Sequence, residues 1–573
     1  MIKATIPPEN PAAAMGDYAR TYRDFSWKDI EKQFSPHESG EINIAHEAVD
    51  RWASQRDKRD RTALVFERAG IVSAYSYLQL REHSSRWANL LIEHGFAVGD
   101  RLFIFLPPCP EIYFVMLACA RLGVIFSPVY STLGFDELDV RIQNAKPKGI
   151  VTHPDLVERI PEHCRSTVEW IFLTAGPRLN AFPGEIAVPE VLEELPKKSP
   201  VKWLRGGTPL FLIYTSGSTG PPKGVVHAHQ DMLGYLMTAK YVLNISEDSV
   251  LWTDGDPGWI TGTVYGVFAP LLCGAATVIQ GDGFAASTWY RTLEKHRVSV
   301  WYTTPRTITR LMEAGDDLPG RYDFSSLRHI ATVGETLAPE QFYWAKNTLN
   351  HSVHDTWWMT ETGMICLANF PSTSIKPGSM GRPVPGIEAA VLDENGEALP
   401  SMTMGELALR PGWPSMMTGI WRDAPRYEAY FKFRDWFLTG DMVTKDDDGY
   451  FHHQGRNDDL IKVGEKFVGP YEIERILTLH PAVAEAVVIS LGSVPGKVWV
   501  KGYVTICEGF NPSARLNHEI RAFVKANFSP ELPLKEIRFL EEIPKTRSGK
   551  MLRRVLRARE HGLPSGDPSR LKE

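Results

Sequence analysis

The sequence has few of the features that mark secreted or membrane proteins. It contains six cysteines in 573 residues, none of them in a Cys-x-x-Cys pair or accompanied by histidines at zinc spacing. We therefore expect ordinary buried thiols in a reducing compartment. The longest unbroken apolar run, Ile112 to Ala120, is too short to span a bilayer. The N-terminus lacks the apolar segment of a secretory signal, so the sequence predicts a soluble, cytoplasmic protein with no membrane partner.

The chain also lacks a strong charge of either sign. Its 63 basic and 69 acidic residues give a formal net charge of −6, which provides no overall field for nucleic acid, so we expect no such partner. A hydrophobic content of 43% with 23% charged residues excludes wholesale disorder. The length predicts three or four structural units at roughly 150 residues per unit.

What the sequence does contain is an alternation of short apolar runs and helical patterns. Runs such as 101–107, 148–153, 299–305 and 329–335 read as strands, and 75–95 has helical spacing of its apolar residues. This alternation predicts an α/β fold of layered, largely parallel sheets.

The pattern changes twice along the chain. Beyond Gly386, Asn-Gly and Asp-Gly turns indicate β-hairpins, and a compact α/β pattern resumes after Arg456. We predict a large N-terminal domain, a β-rich subdomain within it, and a small C-terminal α/β domain, with a boundary near residues 455–459. Their respective ranges are 1–456, about 386–456 and 461–573.

The strongest local signal is a loop rich in Gly, Ser and Thr at residues 214–224. It follows an apolar run and is closed by Lys223. Glycines let backbone N–H groups approach phosphate oxygens, hydroxyls add donors, and lysine adds a charge. The loop is not a Walker A motif, because Gly-Lys-Ser/Thr does not close it. A flexible surface loop is the alternative, but the preceding strand and the Pro-Pro-Lys-Gly ending favour a phosphate-binding loop.

This loop resembles the phosphate loop of the AMP-forming adenylating enzymes, which include acyl-CoA synthetases, peptide-synthetase adenylation domains and luciferases. Four further blocks follow in that family's order, so the resemblance covers essentially the whole chain. They are Asp355-Thr-Trp-Trp-Met-Thr-Glu-Thr-Gly363, Phe437-Leu-Thr-Gly-Asp441, Gly455-Arg-Asn-Asp-Asp459 and Pro544-Lys-Thr-Arg-Ser-Gly-Lys550. The flanking segments 256–262, 376–381 and 413–417 most resemble the acetyl-CoA synthetase branch.

The resemblance implies a reaction in two steps. ATP activates a short-chain carboxylic acid, acetate first, to an acyl-AMP with release of pyrophosphate, and CoA then forms the acyl-CoA with release of AMP. The same reaction on propionate, or on another small branched, cyclic or aryl acid, is the main alternative. A nucleotide-binding regulator without activity and a carrier-protein adenylation module are weaker ones.

The resemblance also assigns the ATP site. The β- and γ-phosphates are expected at Thr215, Ser216, Gly217, Ser218, Thr219, Gly220 and Lys223. The adenine is expected beside Gly334, Glu335, Thr336, Asp355, Thr356 and Trp357, and the block continues through Trp358 and Met359. Thr360 is expected at the α-phosphate, Glu361 at Mg²⁺, and Asp441 at the ribose with Arg456 nearby. Thr336 stands where the acetyl enzymes usually have proline.

The resemblance implies that Lys550 is the catalytic cation of a mobile C-terminal domain, joined by a hinge at 457–460 in which Asp458 matches the family's hinge position. By the same resemblance, Lys550 is expected to approach the carboxylate and α-phosphate during adenylation and to leave as the domain rotates. The segment 545–559 has seven basic residues and no acidic residue. A basic tail that binds an acidic partner is therefore the alternative. The context of Lys550 also makes it a possible target of a lysine acetyltransferase and deacetylase, since acetylation removes its charge.

The CoA site is expected at Val463, Gly464 and Glu465, with Lys525 near the 3′-phosphate. The loop 461–470 departs from the acetyl pattern, with Glu465 in place of Gly and Phe467 in place of Arg. Its local sequence is closer to that of aryl-CoA ligases. Lys466 lies next to Phe467, but a lysine does not reproduce the bidentate contacts of an arginine.

The acyl pocket is expected at Trp358, with Ile260, Thr261 and Val333 at the other positions. In the acetyl enzymes the matching indole forms the floor of this pocket. An indole fills the volume of several methylenes, so it excludes long chains by overpacking. Acetate and propionate are harder to separate, because one methylene is worth only ~1–3 kcal/mol.

Overall fold

Short strands separated by helices build most of the chain. The computed structural model describes residues 5–35, 37–176, 184–215, 222–433, 435–459, 461–463, 466–491, 499–528, 532–545 and 551–560. These residues form two units: the first reaches residue 387 and includes 411–429, and the second comprises 388–410 and the described chain from 430 onward.

The strands, in chain order, are β1 (Thr62–Arg68), β2 (Ile71–Ser76), β3 (Arg101–Phe105), β4 (Ile125–Pro128), β5 (Gly149–Thr152), β6 (Trp170–Leu173), β7 (Glu185–Ala187), β8 (Pro209–Thr215), β9 (Lys223–Ala228), β10 (Val250–Thr253), β11 (Ala276–Gln280), β12 (Val300–Thr303), β13 (His329–Thr332), β14 (Val353–Trp357), β15 (Leu367–Ala368), β16 (Arg382–Pro383), β17 (Ala389–Leu392), β18 (Gly405–Leu409), β19 (Gly419–Ile420), β20 (Phe437–Lys445), β21 (Phe451–Arg456), β22 (Ile461–Val463), β23 (Lys466–Val468), β24 (Val483–Leu491), β25 (Trp499–Ile506) and β26 (Leu534–Phe539).

The helices are α1 (Tyr18–Asp24), α2 (Trp27–Glu31), α3 (Arg51–Ala53), α4 (Tyr77–Glu93), α5 (Pro110–Leu122), α6 (Phe135–Ala145), α7 (Glu162–Arg165), α8 (Val188–Glu194), α9 (Met232–Tyr241), α10 (Ala269–Leu272), α11 (Ala286–Lys295), α12 (Pro305–Glu313), α13 (Pro339–Thr348), α14 (Ala424–Glu428), α15 (Pro470–Thr478), α16 (Ala514–Asn527) and α17 (Arg553–Glu560). None of these helices is both long and apolar enough to cross a membrane.

Two large sheets form the first unit. One has the order β16-β15-β14-β13-β12-β10-β11-β1-β2, and the other has the order β19-β9-β8-β4-β3-β5-β6-β7. Their central strands are parallel, whereas β2, β15 and β16 in the first sheet and β9 and β19 in the second pair antiparallel at the edges. The predicted α/β class with largely parallel sheets is thus confirmed.

The helices of this unit follow the signals in the sequence. Ser76 caps α4 in a reciprocal capping box with Gln79, so the predicted helix begins two residues into its apolar pattern. The apolar run from Ile112 to Ala120 lies in the buried helix α5, which ends at Gly123 with φ +74°. The longest apolar run of the sequence is therefore core.

The second unit is built from smaller sheets. Strands β17-β18-β20-β21 form an antiparallel sheet, and the Asp-Gly turn at Gly449 joins β20 to β21 as predicted. Strands β24-β25-β26 form a separate sheet, against which α15 and α16 bury an apolar core. The stretch 411–429, which the sequence-based boundaries place within the β-rich subdomain, groups with the first unit. The finer boundaries, including the hinge, stay predictions.

One cysteine has a polar neighbourhood that its sequence spacing does not reveal. The Sγ of Cys164 donates to Asp139 Oδ1 at 3.2 Å, and the same oxygen lies 2.7 Å from His163 Nε2. Asp139 comes from α6 and the other two from α7, so these three ligand-type atoms lie within 4.8 Å of one another. Burial raises the pKa of the Cys164 thiol to about 12, which keeps it protonated as a hydrogen-bond donor. Hydrogen bonding to Asp139 accounts for this cluster.

Candidate active site

The two ends of the predicted phosphate loop meet on neighbouring strands. Thr215 ends β8 and Lys223 begins β9, and the two residues are paired in the antiparallel register. The two ends of the predicted loop are therefore adjacent in the second sheet. The predicted phosphate contacts Ser216, Gly217, Ser218, Thr219 and Gly220 lie outside the described residues.

Lys223 forms an ion pair with Glu361. Both side chains are buried, with 8% and 5% of their residue surfaces exposed, and the ammonium Nζ contacts carboxylate Oε1. A buried carboxylate needs such a partner, because an isolated charge away from water is costly. The pair brings the end of the phosphate loop next to the residue predicted to bind a metal ion.

Glu361 lies in a short 3-10 turn, Thr360–Thr362, which we call the Thr360 turn. The turn follows β14 and ends at Gly363, whose φ of +71° is in the left-handed region. A Cβ at Gly363 would lie 2.0 Å from the carbonyl oxygen of Ser415, so glycine is required there. Thr360 and Glu361 are both buried.

The predicted adenine residues follow or end adjacent parallel strands. Gly334, Glu335 and Thr336 come just after β13, and Asp355, Thr356 and Trp357 are the last residues of β14. In the register of this pair, Thr332 lies opposite Asp355. The carboxyl ends of parallel strands are where open α/β sheets bind ligands. Six residues from two separate motifs thus reach one edge of the first sheet.

Asp355 is buried at this edge and accepts a hydrogen bond from Thr332 Oγ1 at 2.9 Å. Burial raises the pKa of Asp355 to about 7, and hydrogen bonds from Thr332 and from the backbone N–H groups of Leu337 and Thr356 oppose this rise. The carboxyl group therefore titrates near neutral pH.

The indole of Trp358 is held by a directed chain of hydrogen bonds. Trp358 Nε1 donates to the hydroxyl of Tyr302 at 3.0 Å, and that hydroxyl lies 2.8 Å from Thr356 Oγ1. Thr356 Oγ1 donates to the Thr332 carbonyl at 2.7 Å, so Tyr302 must be the donor to Thr356. The ring of Tyr265 packs edge-on against the indole, with centroids 5.2 Å apart. We call Trp358, Tyr302, Thr356 and Thr332 the indole chain.

The other predicted acyl-pocket residues, Ile260, Thr261 and Val333, are all buried. The hydroxyl of Thr261 is buried without a hydrogen-bond partner among the described residues. Such an atom is costly unless a ligand or water pairs with it. Thr261 directly precedes the helical turn Gly262–Phe268, which carries Tyr265.

In the second unit, the predicted ribose residue Asp441 pairs with Arg456. These residues are cross-strand neighbours on β20 and β21, and Arg456 Nη1 lies 3.0 Å from Asp441 Oδ1. The same guanidinium nitrogen donates to the Thr439 carbonyl at 3.2 Å. Two blocks that are separate in the sequence are therefore adjacent in this sheet.

The remaining predicted residues carry less structural information. Gly464, Glu465 and Lys550 lie outside the described residues. Val463 ends β22, and Asp458 lies in the turn Asn457–Asp459; their roles stay predictions. Lys525 is exposed in the last turn of α16.

Two residues near this site were missed by sequence reasoning. Tyr302 reads only as part of an apolar strand, and His227 only as part of the strand after the phosphate loop. His227 lies 133 residues before Thr360, yet its Nε2 is 2.8 Å from the Thr360 carbonyl oxygen. No spacing in the sequence signals either contact.

Comparison with known proteins identifies the family. Residues 49–421 match the family model described as AMP-binding enzyme, and residues 472–550 match the AMP-binding enzyme C-terminal domain. The acetyl-coenzyme A synthetase of Bacillus subtilis is 43% identical over 559 residues, 97% of each chain. That of Methanothrix thermoacetophila is 36% identical over 562 residues, 93% of this chain and 85% of the relative.

A solved structure gives the same picture. The crystal structure of a Brucella canis acyl-CoA synthetase superimposes with a TM-score of 0.75 at 26% identity, covering 95% of this chain and 99% of that one. The fold class and the enzyme class predicted from the sequence are confirmed. The chain belongs to the family of AMP-binding enzymes.

Proposed function

We propose that this protein activates acetate with ATP to acetyl-AMP and transfers the acetyl group to CoA. A carboxylate oxygen of acetate attacks the α-phosphorus of ATP and displaces pyrophosphate. The CoA sulfur then attacks the acetyl carbonyl, and AMP leaves. The full-length similarity to proteins named acetyl-coenzyme A synthetase supports this reaction. Cytoplasmic location is part of the same proposal.

The observation that carries the choice of acid is the buried, hydrogen-bonded indole of Trp358. It directly precedes the segment that reaches Thr360 and Glu361, and Tyr302 and Tyr265 restrain it. A fixed indole cannot easily move aside for a longer chain, because overpacking a closed site costs about 1–3 kcal/mol. Ile260, Thr261 and Val333 are proposed as the walls of the same pocket.

Lys223, Thr360 and Glu361 are proposed to bind the triphosphate. The Lys223 ammonium offsets phosphate charge, and the Thr360 hydroxyl donates to the α-phosphate. Lys550 is proposed to supply a second cation from the C-terminal domain, and its acetylation would remove that charge. Asp441 and Arg456 are proposed to bind the ribose, and Val463, Gly464, Glu465 and Lys525 the CoA.

The residues present fit Mg²⁺. This ion prefers oxygen ligands and commonly takes one or two carboxylates together with phosphate oxygens. Glu361 offers a buried carboxylate and directly follows the buried Thr360, so Glu361 would hold the ion. When bound, Mg²⁺ offsets the charge of the phosphate oxygens.

The test is pyrophosphate release by the full chain with ATP, Mg²⁺, CoA and a panel of acids. We expect turnover with acetate first, weaker turnover with propionate, and little with benzoate or hexanoate. The acyl-CoA formed is identified by mass spectrometry. Equal or faster turnover with benzoate or hexanoate would reject acetate as the substrate, and no turnover with any acid would reject the ligase activity.

A matched pair of variants links this activity to the site. Glu361→Gln should lower acetate-dependent turnover about 100-fold or more, because it removes the anionic oxygen ligand proposed for Mg²⁺ and the charge that pairs with Lys223. Glu67→Gln is the control, since Glu67 is also buried and paired with a lysine, Lys295, at 2.8 Å. It should keep turnover within about threefold, because β1 carries none of the proposed site.

A further inference from the structure

The Thr360 turn is fixed through its backbone by other segments of the first unit. A short 3-10 turn leaves most of its carbonyl groups without partners inside the turn, and a buried carbonyl without a hydrogen bond is costly. Here the Gly363 N–H donates to the Thr360 carbonyl at 3.2 Å within the turn. Each of the three carbonyl oxygens accepts a hydrogen bond from a distant donor: Thr360 O from His227 Nε2 at 2.8 Å, Glu361 O from the Met417 N–H at 3.0 Å, and Thr362 O from Trp413 Nε1 at 2.8 Å.

The donor on β9 is oriented by a carboxyl group. His227 is fully buried, and its Nδ1 lies 2.7 Å from Asp231 Oδ2. A carbonyl oxygen only accepts, so Nε2 must carry the hydrogen that reaches Thr360. The ring has no freedom to turn away, because it packs on Phe211 with centroids 4.9 Å apart. A Cβ at Gly363 would lie 2.8 Å from its Cε1, so the end of the turn rests on the ring.

The other two donors come from the segment 413–417, one of the motifs whose purpose the sequence does not reveal. Trp413 is buried, and its indole N–H donates to the Thr362 carbonyl of the turn. Ser415 is fully buried, and its Oγ donates to the Asp231 carbonyl at 3.2 Å. A Cβ at Gly234 would lie 1.8 Å from that Oγ, so α9 has no side chain where the segment passes. The segment is therefore closely packed against the chain that carries Asp231.

The two sets of donors are also joined directly to each other. The N–H of Thr418 donates to the Val226 carbonyl at 2.9 Å, and β19 then pairs with β9. His227 and the segment 413–417 thus belong to one hydrogen-bonded frame. This explains why residues 411–429 group with the first unit.

We infer that His227, oriented by Asp231, and Trp413 are positioning residues that hold Thr360 and Glu361 in the geometry needed to activate the acid. This inference rests on the proposed function, which gives Thr360 and Glu361 their contacts with phosphate and Mg²⁺. A site of this kind requires its groups within about 0.5 Å of the productive arrangement. Displacement by about 1 Å, caused by a residue that touches no substrate, lowers rates by about 100-fold.

Three variants of the full chain test the inference. His227→Leu removes the side-chain donor to the Thr360 carbonyl, whereas His227→Gln retains an amide N–H near the position of Nε2. Trp413→Phe keeps an aromatic ring and removes only the N–H and part of the ring. The matched control is Trp301→Phe, because Trp301 is fully buried on β12 and its indole N–H has no partner among the described residues.

Two half-reactions are measured for each variant, together with its melting temperature. We expect His227→Leu and Trp413→Phe to lower acetate-dependent pyrophosphate exchange about 10- to 100-fold, in kcat or in the KM for MgATP. Conversion of preformed acetyl-adenylate to acetyl-CoA should change less, by at most about threefold, because the β- and γ-phosphates have left and only the proposed Thr360 contact with the α-phosphate remains. His227→Gln should recover most of the exchange rate, and Trp301→Phe should match the wild type.

The inference is overturned if His227→Gln is as impaired as His227→Leu, if Trp413→Phe behaves like Trp301→Phe, or if both half-reactions fall equally. Should His227→Leu fail to fold, the comparison of His227→Gln and Trp413→Phe with Trp301→Phe still decides. If the wild type fails to exchange pyrophosphate with any of the acids, the proposed function is refuted. If the wild type exchanges pyrophosphate and the variants do so equally well, only the positioning role is refuted.

Discussion

Trp358 and Glu361 are three residues apart, but the protein holds them in opposite ways. Trp358 is restrained through its side chain, whose N–H begins the indole chain. The Thr360 turn is restrained through its backbone, whose three carbonyl groups receive donors from His227, Trp413 and Met417. The change occurs within one short stretch after β14.

The difference matches what each part is proposed to do. A pocket floor acts by its volume, so its own atoms must be fixed, and a hydrogen bond to the indole achieves this. Residues that bind phosphate and metal act through their polar side-chain atoms. Fixing such residues by their carbonyl groups leaves the side-chain oxygens to other partners, such as Lys223 for Glu361.

The largest effect is expected from removing the floor of the acyl pocket, which is restrained through its side chain. Trp358→Gly should open the pocket and move the preference toward longer acids, changing the ratio of kcat/KM for hexanoate to that for acetate by about 100-fold or more. The Thr360 turn should keep its backbone donors, so kcat with the best acid should remain within about tenfold of the wild type. Pyrophosphate release across the acid panel measures both. An unchanged preference would remove Trp358 from the acyl pocket.

Much of the fold was predictable because its signals are local. The apolar runs 101–107, 148–153, 299–305 and 329–335 correspond to β3, β5, β12 and β13, and the 75–95 pattern corresponds to α4. The family blocks then lie where these strands end. Parallel strands bring their carboxyl ends to one edge, so residues from β13 and β14 could be expected together.

The support of the site was not predictable, because it depends on register and on distant packing. Tyr302 faces Thr356 only because β13 lies between β12 and β14 in a particular register. The segment 413–417 resembled a family motif, but its spacing from residue 360 contains no sign that it donates to that turn. Likewise, His227 differs in no local way from His229, which lies two residues away and is also buried.

The second prediction weakens the restraint on Trp358 without removing the ring. Tyr302→Phe takes away the hydroxyl that accepts from the indole and leaves a buried N–H unpaired, at a cost of about 1–3 kcal/mol. We expect the ratio of acetate to propionate kcat/KM to fall severalfold, because the floor becomes easier to displace. The KM for MgATP should stay within about twofold, because the Thr360 turn keeps its own donors.

Tyr290→Phe is the control for this change. Tyr290 is also fully buried, but its hydroxyl has no partner among the described residues and it lies on α11. Its replacement should leave both the acid ratio and the KM for MgATP at wild-type values. If Tyr302→Phe and Tyr290→Phe have the same acid ratio, the indole chain has no part in specificity.

The smallest expected effect concerns Asp355, which is held through its side chain like Trp358 but can lose a proton. Its ordinary pKa is 3.8, and burial raises the pKa to about 7 in the folded protein. Between these values the folded state keeps a proton that the unfolded state has released, so the stability contributed by this group is greatest at low pH and is lost as pH rises through about 7. The side chain of Asp355→Asn cannot titrate. The melting temperature of this variant minus that of the wild type should therefore rise by about 1 °C per pH unit between pH 5 and 7 and level off above that range. A difference in melting temperature that stays constant across this range would mean that the Asp355 carboxyl group is ionised throughout. Burial would then not have raised its pKa.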